Sequence, residues 1–424
     1  MKKSRVLAAL LAAVMIAIPL DGCSKTSGNS SSSKSENVNM DLMWFADGNE
    51  TAAMQKIINQ YTAKNPGVKI NIVEVPFADM TKKIQMAVAG GEPPALARTT
   101  EGILGNVSDS TVDIGGYVKD KKAFLSQYMN SIQNYFVING KICGVQTDVT
   151  ANGMIYNKTA FDKAGVKAPT TPDNIWTWDQ FETQIKTVMS KGGVKYGLAI
   201  DNPTHRWSTL LYEFGGKFMG DTAPAFDSPE TLSCINFTKK LMDEGIMPKS
   251  VWLGSEDPNN LFRSGQVAVQ LAGNWMLQNY HENIKNFEWG VCYLPTQKNR
   301  SSVPGGKQLA AFKGSKCEKE AVSFILYATS KEPNAQYCEE SLFISPRVDN
   351  AKLTYSFGSE YFSIFSNELN NTVPYASHDW GYPGWTAKVG TPLNDGMDQV
   401  MAGKETAKDL IKNITDLEHE LYKK

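Results

Sequence analysis

The spacing of apolar residues from position 41 onward limits the fold more than any other feature of the chain. Leu42 to Phe45 is a short apolar run that ends in the loop Ala46-Asp47-Gly48-Asn49-Glu50. Ala53, Ile57, Ile58 and Tyr61 then recur at helical spacing until Asn65-Pro66-Gly67 stops them. Val68, Ile70 and Ile72 alternate as a strand, and Met80, Ile84 and Val88 mark a helix before Gly90-Gly91. Pro94 to Ala97 reads as a third strand. This order of strand, helix, strand, helix predicts a mostly parallel sheet with crossover helices, an α/β fold.

A second series begins near Cys143. Asn152 to Tyr156 reads as a strand, and Thr177 with Gln180 forms a capping box ahead of the helical face Phe181, Ile185, Val188 and Met189. Tyr196 to Ile200, Val267 to Leu271 and Trp289 to Leu294 are further strands, and Ser228-Pro229 opens another helix with Pro at its first position. Beyond Gly306 the pattern turns helical. Ala321 to Ala328 is an apolar helix closed by Glu332-Pro333, and the last helix carries Leu410, Ile411, Ile414, Leu417 and Leu421. No repeat of solenoid or propeller length is present. The eightfold repeat of a barrel is missing too.

The N-terminus is an address rather than part of the fold. Lys2, Lys3 and Arg5 precede an apolar run from Val6 to Leu20. Its 15 residues span about 22 Å as a helix, short of the roughly 30 Å hydrocarbon core. Residues 1–22 therefore read as a signal peptide. Leu20-Asp21-Gly22-Cys23 resembles a bacterial lipobox, which makes Cys23 the lipid anchor and mature N-terminus, although Asp21 departs from the usual pattern. Residues 23–37 form a tether, with seven Ser among the twelve residues from Ser24 to Ser35, too polar to bury itself. These features predict a protein held on the outer face of the bacterial cytoplasmic membrane by its lipid alone.

Composition excludes several classes. With 43 Lys plus Arg against 44 Asp plus Glu, no cationic surplus exists to neutralise a nucleic-acid backbone. The six Cys include no C-x-x-C pair, and the four His show no metal-ligand spacing, so neither a disulfide framework nor a metal or other cofactor is expected. Metalloprotease, nucleophile-elbow, Walker and dinucleotide-binding motifs are all absent from the sequence.

In open α/β sheets, ligands bind beyond the carboxyl ends of strands. That rule nominates Asp47 and Asn49 after the first strand, where helix capping is the alternative role. It also nominates Arg98 and Glu101 after the third. Nine Trp, 16 Tyr and 18 Phe are more aromatic surface than two plain cores require. Trp207 and Trp275 follow strands, Trp252 lies in a polar loop, and Trp380, Tyr382 and Trp385 lie in a stretch too rich in Gly and Pro for an element interior. Indoles on loops must pack on something. Flat rings stack on the C–H faces of sugars while Asp, Asn, Glu and Arg serve the hydroxyls. The alternative for each is ordinary core packing, and for Trp44, Trp176, Trp178 and Trp289 core is the preferred reading.

Taken in order, several segments resemble the bacterial extracellular solute-binding proteins of the maltose-binding type, which feed ABC importers. They are Gly140-Lys141-Ile142-Cys143-Gly144-Val145, Met154-Ile155-Tyr156-Asn157-Lys158, Thr177-Trp178-Asp179-Gln180-Phe181 and Phe262-Arg263-Ser264-Gly265-Gln266-Val267, followed by Gly273-Asn274-Trp275 and Tyr293-Leu294-Pro295. The resemblance implies a two-lobed periplasmic-binding-protein-like fold of type II, each lobe a mostly parallel sheet flanked by helices, with a ligand cleft at the hinge. One lobe would be 38–147 plus 304–346 and the other 148–303 plus 347–424. It also adds Asp148 to the ligand contacts and points to Asp47, Asn49, Trp275, Trp380 and Trp385. Its implied function is a monomeric, non-catalytic component that captures a carbohydrate, an oligosaccharide in view of the several indoles, and delivers it to permease subunits. Two other readings remain open from the residues alone. One is a surface-anchored glycoside hydrolase or lyase with two carboxylates; the other keeps the fold but takes a polyol, glycerophosphodiester or peptide.

Overall fold

The protein was analysed as a computed structural model that describes residues 37–46, 48–202, 204–382 and 384–423. Residues 1–36, on which the expected signal peptide, the Cys23 anchor and all but the last residue of the expected tether fall, and Asp47 lie outside the described residues.

Strand β1 (Val38–Trp44) buries Met40, Leu42 and Trp44 and exposes Asn39 and Asp41, the period-two pattern of a half-buried strand. It pairs in parallel with β2 (Val68–Glu74) and with β3 (Leu96–Thr99). The helix Glu50–Lys64 makes the first crossover, and Met80–Ala89 the second. Strands β4 (Val137–Ile138) and β5 (Lys141–Ile142) form a small hairpin whose turn residues Asn139 and Gly140 both have positive φ, as a tight two-residue turn requires. The long β6 (Val145–Asn157) is buried along its whole length. After it come β7 (Tyr196–Ile200), β8 (Val267–Gly273), β9 (Trp289–Cys292) and β10 (Pro304–Ala311).

The strand order is β2-β1-β3-β10-β6-β8-β7, with β9 also on β6. β1–β2, β1–β3 and β7–β8 are parallel, whereas β10 runs antiparallel to β3 and β6, and β6 antiparallel to β8 and β9. Parallel pairing thus belongs to the outlying strands, and the central crossing strands reverse it. The partners of β6 change midway: Val145 to Ala151 pair with β10, and Asn152 to Asn157 with β8 and β9.

Several predicted elements form as their sequences dictate. Thr177 Oγ1 accepts from the Gln180 N–H at 3.2 Å while Gln180 Oε1 accepts from the Thr177 N–H at 2.9 Å, closing the capping box of the helix Trp178–Gly192. Three expectations fail. The segment after Gly306 is strand β10 rather than helix. Pro333 does not close a helix but lies in the first turn of the helix Lys331–Ser341, where its missing N–H costs nothing. Trp252 and Trp380 are helical, in Lys249–Trp252 and Tyr375–Gly381. Among the described residues no helix is long and apolar enough to cross a membrane, and the five described Cys are buried and unbridged.

Candidate functional site

A cavity of about 590 Å³ opens where the carboxyl ends of the outlying strands face one another across β6 and β10. Its floor is Thr150 of β6 with Gly305, Gly306 and Lys307 of β10. Glycine is required at 306: φ is +135°, and a Cβ would lie 2.1 Å from the Asp148 carbonyl oxygen. One wall carries Phe45 after β1, Phe77 after β2, and Thr100, Glu101 and Asn106 after β3. The opposite wall carries His205 and Arg206 after β7, Trp275 after β8, and Trp380, Thr391 and Asn394 from the C-terminal helices.

Glu101 is the first residue of the helix Glu101–Val107. As a whole it is half-buried, but Oε2 is enclosed and makes no hydrogen bond. Burial pushes its carboxyl up to about 7, against the pull of its own backbone N–H and of Lys307 and Arg206. His205 is held down to about 3 by burial and by the Arg206 charge, so its ring is neutral; it sits 4.7 Å from the Trp380 ring. Arg206 Nη2 lies 3.2 Å from Asp201 Oδ2, and its guanidinium covers the Trp275 indole at 4.8 Å. Trp275 itself folds back on Gly273, where a Cβ would lie 1.8 Å from the ring. The walls therefore combine flat apolar surface with donors and acceptors, and the cationic groups are offset by carboxylates.

The structure brings together only part of the set nominated from sequence. Glu101, Trp275 and Trp380 line the cavity, the last with little exposed surface. Asn49 lines a neighbouring cavity that shares Trp275. Arg98 does not face a ligand space. It lies within β3, completely buried, and donates to the Phe45 carbonyl. Its Nη2 is 3.2 Å from Glu50 Oε1 and 3.8 Å from Asp148 Oδ2, and its guanidinium stacks on Trp44 at 4.4 Å. Asp148 is equally buried; Thr147 and Tyr337 donate to its Oδ2, and burial raises its carboxyl above the usual range. Both residues belong to an ionic knot in the core, because a buried charge needs a partner.

Three indoles are core for the same kind of reason. The buried N–H of Trp207 donates to Thr238 Oγ1 at 3.0 Å, that of Trp252 to the Ile200 carbonyl at 2.8 Å, and that of Trp385 to Glu418 Oε1 at 3.2 Å. Burial pushes the Glu418 carboxyl up to about 8. Tyr382 packs on Tyr422 and borders only a narrow crevice beside the cavity. Sequence reasoning missed Phe45, Phe77, His205 and Lys307. The strand-end rule applies equally to Phe45, Phe77 and His205, so the signal was present; Lys307 was hidden because β10 itself was not recognised.

The model for bacterial extracellular solute-binding proteins matches residues 46–335. The chain is 24% identical to the multiple sugar-binding protein of Streptococcus mutans, over 76% of this chain and 78% of that one. It is 22% identical to the arabinooligosaccharide-binding protein of Bacillus subtilis, over 76% of each. Among solved structures, the GacH receptor of Streptomyces glaucescens superposes with a TM-score of 0.77, covering 91% of this chain and 99% of that one at 20% identity. The ABC substrate-binding protein of Listeria monocytogenes in complex with cycloalternan superposes at 0.75, covering 90% and 98% at 20% identity. The fold is that of the maltose-binding-type proteins, and the chain belongs to the bacterial extracellular solute-binding proteins, non-catalytic binding components of ABC transporters.

Proposed function

We propose that this protein captures a neutral oligosaccharide in the cavity between the two ends of its sheet and delivers it to permease subunits. The observation that carries the reading is the composition of the cavity walls. Phe77 and the half-buried Trp275 supply flat apolar surface, with the largely buried Phe45 and Trp380 beside them, while Thr100, Glu101, Asn106, His205 and Asn394 supply hydrogen-bonding groups on both sides. Such a site suits rings whose faces are C–H and whose rims are hydroxyl. The relatives that bind sugars point the same way.

In this reading the lobes are 38–147 plus 304–346 and 148–303 plus 347–424. The change of partner along β6 falls at Ala151–Asn152, because Asp148 to Ala151 still pair with β10, and so favours a crossing point four residues later. The ligand would touch both walls only when they approach, so its greater affinity for the closed arrangement shifts the equilibrium towards it. The signal peptide would direct export, and the Cys23 lipid and tether would then hold the mature protein, as a monomer, outside the cell. The test is isothermal titration of the full chain against gluco-, xylo- and arabino-oligosaccharides. Saturating heat that returns to baseline supports the reading; no heat with any of the three series refutes it.

A further inference from the structure

A cup of about 430 Å³ lies apart from the main cavity and shares no lining residue with it. It forms where the entry to β9 meets the helix Leu277–Asn283 and the start of the helix Ser359–Asn370. Its walls are aromatic: half-buried Phe287, Trp289, Phe357 and Tyr361, with the exposed ring of His281. His281 stacks on Phe357 at 4.1 Å, and Trp289 packs beside Tyr361 at 5.3 Å. The Tyr361 hydroxyl donates to the Trp289 carbonyl at 3.5 Å. Gly358, with φ +66°, lets the chain turn so closely that a Cβ would lie 2.8 Å from the Tyr361 ring. The buried indoles of Trp178, Trp207, Trp252 and Trp385 each give their N–H to a protein acceptor, whereas that of Trp289 goes to none among the described residues.

The rim is acidic. Glu288 is 73% exposed, and Glu360, in the first turn of its helix, makes no ion pair among the described residues. Both nearby lysines are engaged: Lys158 bridges Glu288 and Asp162, and Lys285 donates to the His281 carbonyl at 2.9 Å. Two amines against the carboxylates of Asp162, Glu288 and Glu360 leave the balance negative. An anion is disfavoured there, and a neutral ligand would leave the excess charge unanswered. An organic cation gains from both parts, because aromatic faces attract positive charge and the carboxylates supply its counter-charge. Quaternary ammonium groups suit such surroundings best, since their methyl shell packs on rings and needs no hydrogen-bond acceptor. The geometry points to this cup as a binding site for an alkylammonium cation of the trimethylammonium kind, separate from the sugar cavity. Its source is a free solute or the head group of a lipid. The assignment does not depend on the proposed function.

The test is calorimetric titration of the full chain with choline chloride, with sodium chloride at equal ionic strength as the reference. Saturating heat from choline alone is the expected result. Glu360→Gln should weaken that binding by about threefold or more, and Trp289→Leu by about tenfold or more. Glu360 is exposed, so its variant keeps the question answerable if Trp289→Leu fails to fold. Phosphatidylcholine vesicles, added as a competitor, separate the two sources. Loss of the choline signal assigns the cup to a lipid head group, and an unchanged signal assigns it to a free cation. No saturating heat with choline would overturn the proposal. Wild-type affinity for choline in Glu360→Gln would overturn it too, by placing the cation elsewhere on the protein. Either failure leaves the oligosaccharide titration, and with it the proposed function, untouched.

Discussion

Replacing Glu418 with Gln isolates one proton in the energetics of the fold. Glu418 accepts from the buried Trp385 N–H through Oε1, and the Phe226 backbone also pulls its carboxyl down. Desolvation, the largest influence, raises its carboxyl from 4.5 to about 8; the Trp385 bond opposes this, and nearby Asp379 adds to it. The folded chain therefore retains a proton that the unfolded chain releases near 4.5. A carboxyl raised in the folded state contributes its stability in full below its unfolded value and loses it as pH rises through the folded value. Between about 5 and 8, stability should fall by about 1.4 kcal/mol per pH unit from this residue alone. Over the whole window that is roughly 3–5 kcal/mol.

Glu418→Gln keeps an oxygen for Trp385 and cannot ionise. Other buried acids, Asp379 and Glu213 among them, have raised values too and are present in both proteins, so the comparison subtracts them. Urea unfolding of both proteins at several pH values across the window gives the two slopes. The variant should lose stability more slowly with rising pH and should be the more stable protein near pH 8. Parallel lines would refute the argument, because they would mean that Glu418 is already ionised in the fold at neutral pH.

Other perturbations bear on the site and its support. Trp275→Ala should weaken binding of any sugar ligand by about tenfold or more without changing the urea midpoint, as a titration followed by a denaturation curve would show. Because Glu101 is raised to about 7, affinity for a hydroxyl donor should rise between pH 6 and 8 as the carboxylate forms; Glu101→Gln should make that titration flat. Arg98→Met leaves the buried Glu50 and Asp148 carboxylates without their guanidinium and should cost about 3–5 kcal/mol in urea unfolding. Gly306→Ala meets the Asp148 carbonyl and an unsuitable φ, and should destabilise by about 1–3 kcal/mol while also weakening ligand binding through the displaced floor.

What the sequence revealed, and what it hid, follows from where each residue finds its partner. The outlying strands and their crossover helices were legible because each carries its own period, reinforced in the helix Trp178–Gly192 by the capping box of Thr177 with Gln180. Strand β10 was not, since Pro-Gly-Gly-Lys-Gln-Leu-Ala-Ala has no alternation. It lies between β3 and β6 and is buried throughout, so Gln308 can be satisfied by Gln146 at 2.8 Å. The stretch from His378 to Trp385 looked like loop by its Gly and Pro. Its helical start is held from afar, by Asp379 accepting the N–H groups of Phe218 at 2.8 Å and Met219 at 3.1 Å.

The indoles make the limit sharpest. Trp207, Trp252 and Trp385 have the same local signature as Trp275, a large ring near Gly, Pro or a strand end. Each of the three, and the largely buried Trp380 through Ser208 Oγ at 3.2 Å, gives its N–H to an acceptor at least 31 positions away in the chain, and that pairing, which no local window contains, holds it in the core. Trp275 instead lies along Gly273, is half-buried and is covered on one face by the guanidinium of Arg206. A guanidinium stacked on an indole is the same kind of flat contact that a sugar ring makes. Arg206 thus competes for the face that a ligand would use, and it is restrained by Asp201. If the indole is the stacking platform, Arg206→Ala should alter affinity by uncovering it, whereas a purely structural Trp275 would leave binding unchanged.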